Sequence, residues 1–292
     1  MNYSIIPQSH ITINNKLANT LTRDIINKGA IDLTVSRSNR RQEIITSVMV
    51  SYEGDNSNTG ELVRFTSYDR EIHDAIVSLF VVGNNLFTTE MVYRAMNGLN
   101  KSEKVSGVAL NSIKQSVEKS RNLRLNLDFT QEAGAYKKDC KTTYTGYLLE
   151  CDKVTITTGG QIKEAYQLLQ NPILYDYAQV SGQILSIPII LLQTKRFVRN
   201  TSDVIVLRGY LLRQIEWIKS PKSKRKNNNI SYEKLFLELD IFTDSFSNYN
   251  EKTRKVREHV EKILNGWVDC GYIKGYERYK SGKTIKGVSI FV

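Results

Sequence analysis

Asn250–Val292 reads NEKTRKVREHVEKILNGWVDCGYIKGYERYKSGKTIKGVSIFV, and two periodicities lie side by side in it. In its first half Val256, Val260, Ile263, Leu264 and Trp267 recur at spacings of four, three, one and three, which is one face of a helix. Asn250 and Glu251 supply an N-cap residue and a first-turn acid. Gly266 or Gly271 is where that helix is expected to stop. Residues 272–279 and 284–292 then alternate on either side of Lys280-Ser281-Gly282-Lys283, which predicts a β-hairpin. A basic helix running into a basic hairpin predicts a winged-helix DNA-binding domain, with the hairpin turn as its wing.

Charge partition points the same way. The chain of 292 residues carries a net charge of +11. From Lys195 onward there are 21 Lys/Arg against 11 Asp/Glu, whereas the first 194 residues hold 20 against 19. Nearly all of the excess therefore sits where the helix and hairpin lie, which favours a polyanionic partner, nucleic acid rather than membrane. A membrane-surface helix needs a free apolar face, and here that face is needed for the domain's own core.

The remaining composition bounds the class. An apolar content of 40% with four prolines describes a folded chain. The longest apolar run, Ile184 to Leu192, is too short to span a bilayer and contains Pro188, which argues for a strand edge or bend. No secretory signal is legible at the N-terminus, and three cysteines without metal-ligand spacing read as reduced thiols, so a cytoplasmic protein is expected.

Working outward, residues 1–66 read as an extension that packs on the first domain. Leu17, Leu21, Ile25 and Ile26 fit a short helix. Residues 31–35 and 44–52 are strand-like, and 62–65 are expected to pair back on the latter across a polar turn at 53–60. Arg37, Arg40 and Arg41 fit either a phosphate contact or a solvated loop. From Ser67 the chain predicts three helices: one capped by Ser67 and running to about Val82, Thr88 to Asn97, and one from about Ser106 with Val108, Leu110, Ile113 and Val117 inward. Alternating runs at 123–129 and 143–156 complete a first helix-and-hairpin unit. Gly159-Gly160 marks a boundary, and 203–219, a helix capped by Ser231 and the stretch above make a second. The expected class is α+β: 1–158 as extension plus first winged helix (core from about 67), 159–200 as a strand-containing linker, and 201–292 as a second, basic winged helix.

Candidate contacts follow from these faces. Lys252, Arg254, Lys255, Arg257 and Lys262 fall outside the apolar stripe of the last helix, and Arg278, Lys280 and Lys283 with Lys274 and Lys286 load the hairpin. Arg reads guanine edges in the major groove and Lys more often meets phosphate. A good bidentate contact discriminates by about 1–3 kcal/mol. The competing account is a solvated helix whose cations pair with Glu251, Glu258 and Glu261. On the third helix of the first unit, Asn111, Lys114, Gln115 and Lys119 are expected outward, either on a second half-site or at a dimer surface. The 222–226 run is expected to be a loop that at most brushes phosphate.

Catalysis is disfavoured. His10, His73 and His259 lack metal spacing and form no His-hydrophobe-His triplet, and no phosphate loop ending in Gly-Lys-Ser/Thr occurs. Neither a cofactor nor an enzymatic activity is expected. His73, four residues after Asp69, fits a local hydrogen bond.

The chain resembles the two-winged-helix replication initiators of bacterial plasmids. The stretches that carry the likeness are Leu33–Arg40 (LTVSRSNR), Phe65–Ile76 (FTSYDREIHDAI), Gly83-Asn84, Phe87-Thr88, Met91–Arg94, Tyr272-Ile273 and Lys280–Val288 (KSGKTIKGV). The likeness implies a non-enzymatic protein that binds repeated origin sites in duplex DNA, helps open them and recruits host helicase and primase, in a monomer–dimer equilibrium. It makes the helix at 250–264 the main groove reader. A winged-helix transcriptional regulator and a winged-helix protein-interaction scaffold are the alternatives.

Overall fold

The computed structural model describes residues 7–23, 25–26, 31–38, 43–54, 63–100, 103–158, 160–221, 223, 225, 227–242 and 248–292, with backbone alone at 25–26, 31–33, 35–38 and 158. The expected contacts of Arg37, Arg40 and Arg41, the turn at 55–60, and Lys222, Lys224 and Lys226 lie outside what is described. The chain divides into two units, Met1–Ser186 and Ile187–Val292.

In the first unit β1 (Ser9–Ile13) and α1 (Lys16–Leu21) precede β2 (Ile25–Ile26), β3 (Ile31–Ser38), β4 (Glu43–Tyr52) and β5 (Val63–Arg64). The short helix thus ends at Leu21, and Ile25-Ile26 pair with β5 instead of extending it. The expected pairing of 62–65 with β4 does not form, because β4 is flanked by β3 and by a strand from much later in the chain. Next come α2 (Ser67–Val81), β6 (Leu86–Phe87), α3 (Thr89–Asn97), α4 (Gly107–Asn122), β7 (Leu123–Asp128), α5 (Thr130–Ala135), β8 (Thr143–Tyr147), β9 (Cys151–Thr158), β10 (Gln161–Leu168), α6 (Ile173–Ser181) and β11 (Ile184–Pro188).

Two sheets organise this unit. One has the order β3-β4-β7-β8, and its inner face alternates Ile44, Thr46, Val48 and Val50 on β4 with Leu123, Leu125 and Leu127 on β7. The other has the order β6-β10-β9. With α2, α3 and α4 before it, this second sheet completes a winged helix whose wing is the β9–β10 hairpin, turning at Gly160 with φ +76°. The expected pairing of 123–129 with 143–156 forms in part: β7 pairs antiparallel with β8, Arg124 opposite Tyr147 and Asp128 opposite Thr143. The run at 143–156 then breaks between β8 and β9 into two different sheets, and Gly160 lies at a wing tip instead of beginning a linker.

Helix α2 ties the extension to this domain. Thr66, one residue ahead of the expected Ser67, caps it in a reciprocal box with Asp69. Ile72, Ala75, Ile76 and Leu79 form its apolar side, and Arg70, Asp74 and Ser78, one turn apart, are buried on another. Arg70 donates to the Ile13 carbonyl and to Asn19 Oδ1 (2.6 Å), Asp74 accepts from the Ile13 amide (3.3 Å), and Ser78 Oγ accepts from the Ile11 amide (2.8 Å). These bonds satisfy buried groups that would otherwise each cost about 1–3 kcal/mol.

The second unit opens with residues 187–200, whose Leu191, Leu192 and Thr194 are buried, so this stretch is core where a linker was expected. Then come α7 (Ser202–Lys219), β12 (Asn229–Ser231), α8 (Tyr232–Glu238), α9 (Tyr249–Asp269), β13 (Gly275–Ser281) and β14 (Thr284–Phe291). The sheet order β12-β14-β13 repeats the order β6-β10-β9 of the first unit. Helix–strand–helix–helix–hairpin with the last strand in the middle is the winged-helix plan, present twice in an α+β chain. Buried Arg208 donates to the Leu192 carbonyl (2.6 Å) and Thr194 Oγ1 (3.1 Å), and Arg213 pairs with Glu238 at 2.8 Å, joining α7 to α8.

His73 makes a pH test possible. It is 2% exposed on α2, neither ring nitrogen has a hydrogen-bond partner, and the bond expected with Asp69 is absent because Asp69 is engaged by Thr66 and Lys119. Burial, with the Arg70 cation nearby, pushes its pKa down to about 4. The unfolded imidazole titrates near 6.5, so its contribution to stability is fully present above that pH and is lost as the pH falls from there to about 4. The loss is expected to reach about 3 kcal/mol. Denaturation at several pH values should show His73→Leu with a shallower acid decline than wild type. Parallel declines would place the acid sensitivity elsewhere.

Candidate nucleic-acid interface

The long helix of the second unit is built by its stripe. Thr253, Val256, Val260, Ile263, Leu264 and Trp267 are buried, and Trp267 Nε1 donates to the Leu191 carbonyl (3.2 Å). Gly266 stays within the helix, because the Phe197 ring lies where a Cβ would stand. The helix stops instead before Gly271, whose φ of +74° suits a C-terminal cap. With the stripe inward, Lys252, Arg254, Lys255, Arg257 and Lys262 all come out exposed.

The wing is equally constrained. Strand β14 runs between β12 and β13, and at Gly287 a side chain would collide with the Ile230 carbonyl and the Tyr279 ring. The turn places Gly282 at φ +61°, and Arg278, Lys280, Lys283, Lys274 and Lys286 are exposed. The structure thus gathers the expected cations of α9 and of the β13–β14 hairpin on one winged helix.

Several of these cations have partners within the chain. Arg254 pairs with Glu258, and Lys255 with Glu251 at 2.5 Å, each one turn along the helix and well exposed. Hydrogen bonding to Lys255 holds the Glu251 carboxyl below its ordinary pKa. Arg257 lies over the rings of Tyr232 (5.5 Å) and Phe236 (5.8 Å) on α8. Arg278 reaches from the wing to Glu261 on α9 at 2.6 Å. Within the basic loop, Arg225 is half-buried over Trp217 (5.2 Å) and donates to Gln214 (3.0 Å) and the Asn229 carbonyl, so it is committed to packing.

In the first unit, Asn111, Lys114, Gln115 and Lys119 come together on α4. They line one groove of about 630 Å³ with Tyr52, Val63, Arg64 and Glu118. Asn111 and Gln115 are exposed, while Lys119 is held by buried Asp69 (2.6 Å) and the Arg64 carbonyl (3.1 Å), and Lys114 by Glu164 (3.0 Å). Val108, expected inward, is 80% exposed, and Ile113, Ser116, Val117 and Ser120 form the buried side. Lys153 and Lys163 on the first wing were not among the expected contacts. They pair with Glu164 (2.7 Å) and Glu90 (3.7 Å). The Gly-Gly pair between two alternating runs is the sequence signal that marks this wing.

No family model and no curated relative matches the chain. Among solved structures, the crystal structure of RctB domains 2–3 (RctB 155–483) is similar over 94% of this chain and 96% of that one, with 12% identity and a TM-score of 0.47. A selenomethionine form of domains 2 and 3 of RctB is similar over 90% of each chain, with 12% identity and a TM-score of 0.42. Likeness at this level bears on neither function nor partner. No helix among the described residues is long and apolar enough to cross a membrane.

The two α9 arginines are expected to separate in stability. An exposed pair such as Arg254–Glu258 is worth about 0.3–0.5 kcal/mol. A cation over aromatic rings is worth about 0.5–1 kcal/mol, and its stem packs as well. Chemical denaturation should therefore find Arg257→Ala less stable than Arg254→Ala. The reverse order would mean that the ring contact contributes nothing.

Proposed function

We propose that the chain is a sequence-specific binder of duplex DNA that initiates replication of a bacterial plasmid. In this proposal it occupies repeated origin sites in a monomer–dimer equilibrium, brings host helicase and primase to them, and performs no catalysis itself. One observation carries the DNA contact: α9 and the β13–β14 turn hold Lys252, Arg254, Lys255, Lys262, Lys280 and Lys283 exposed on a single winged helix. Helix α9 would enter the major groove, where Arg254 would reach base edges, while the wing lysines would meet phosphate. Asn111 and Gln115 at the groove beside α4 supply amides of the kind that pair with adenine, which supports a second contact by the first unit. The initiator role is supported by the resemblance in Phe65–Ile76 and Lys280–Val288.

Two measurements test this. A protein neutralising about six to ten phosphates loses about 10³–10⁵ in affinity between about 50 and 200 mM salt, so a titration against DNA from the replicon carrying the gene should be steep. A flat response would favour a protein-binding scaffold. Selection of bound fragments from the same replicon should return an array of direct repeats near a whole number of helical turns apart. A lone promoter palindrome would instead assign a transcriptional regulator.

A further inference from the structure

Three glutamates lie among the cations of α9, and one of them is placed differently from the others. Glu251 and Glu258 pair within the helix, one turn from their partners, with both side chains of each pair about half exposed. Such pairs give way readily to a stronger ligand. Glu261 pairs across elements. Its carboxylate, 26% exposed, accepts from Arg278 Nε at 2.7 Å and Nη2 at 2.6 Å, gripping the guanidinium along one edge. Beside it Tyr276, two residues earlier on β13, donates to Asn265 Oδ1 (2.9 Å), four residues later on α9. Two strand residues and one helical turn cover nearly the same length, so this pair of contacts fastens the wing alongside the helix in a fixed register.

Because Glu261 takes the Nε edge, the opposite edge of the Arg278 guanidinium keeps its own N–H groups, and the side chain is 53% exposed. We propose that Glu261 is a positioning residue for DNA: it holds Arg278 side-on so that the free guanidinium edge meets a phosphate between the recognition helix and the wing. This inference rests on the DNA-binding reading above. It also has a sign of its own. Removing an acid from a DNA-facing helix ordinarily raises affinity, whereas removing Glu261 is expected to lower it.

The test is fluorescence anisotropy of the full chain over a salt series, with a duplex carrying the site recovered by fragment selection and with a duplex of unrelated sequence. Glu261→Gln is expected to bind about tenfold more weakly to both, with a log–log salt slope smaller by about one contact. Glu261→Asp, which keeps the charge but shortens the reach, is expected to do the same. Arg278→Ala should match Glu261→Gln, and the double variant should lose little more. Glu258→Gln is expected to bind about twofold more tightly. Should Glu261→Gln fail to fold, Arg278→Lys serves in its place: it keeps the charge without the fork and is expected to lose the same slope. An unchanged slope or tighter binding in Glu261→Gln, wild-type binding by Arg278→Lys, or equal weakening by Glu258→Gln overturns the assignment. Wild-type protein that binds neither duplex removes the DNA reading, and this assignment with it.

Discussion

The side that α9 must bury decides where every charge on it goes. Burying residues the size of Val256, Val260, Ile263, Leu264 and Trp267 is worth about 1.5–3 kcal/mol each. The surface pairs that line the other side contribute a few tenths each. Apolar contact therefore sets the rotation of the helix, and the exposure of Lys252, Arg254, Lys255 and Lys262 is a consequence of it. The same packing brings Trp267 onto the Leu191 carbonyl, so residues ahead of α7 help seat the helix whose far side is presented.

The first unit solves its packing with polar groups as well as apolar ones. Helix α2 is buried along most of its length, and Arg70, Asp74 and Ser78 find partners on β1 and α1. A helix with such a stripe has one compatible neighbour, a backbone that offers donors and acceptors at matching intervals. The specificity of the join between extension and domain comes from these satisfied bonds, while the apolar core of Ile13, Leu17, Phe65, Val77 and Leu125 supplies the greater part of the driving force.

The elements that could be read from the sequence are those whose signal is local. The stripe of α9, the turn at Gly282 and the helices at 89–97 and 202–219 all have their periodicity and punctuation within a few residues of themselves. The partners of strands do not. The alternation at 123–129 marks a strand and its hairpin with β8, yet its other edge takes β4, more than 70 residues earlier, because nothing in either segment names that neighbour. The site divides the same way. Which residues of α9 and α4 point outward was legible, except for Val108 in the first turn. That Lys119 is held by Asp69, Lys114 by Glu164 and Arg257 by two rings depends on contacts between distant segments, which the sequence alone does not encode.

The two winged helices differ in what lies between third helix and wing. In the second unit α9 passes into β13 through a short turn. In the first, β7, α5 and β8 intervene between α4 and β9, and these strands complete a sheet with β3 and β4 from the extension. The excursion makes the amino-terminal segment indispensable scaffolding instead of a detachable arm. A shortened first domain beginning at α2 would leave β7 without β4, its hydrogen-bonded neighbour on one edge.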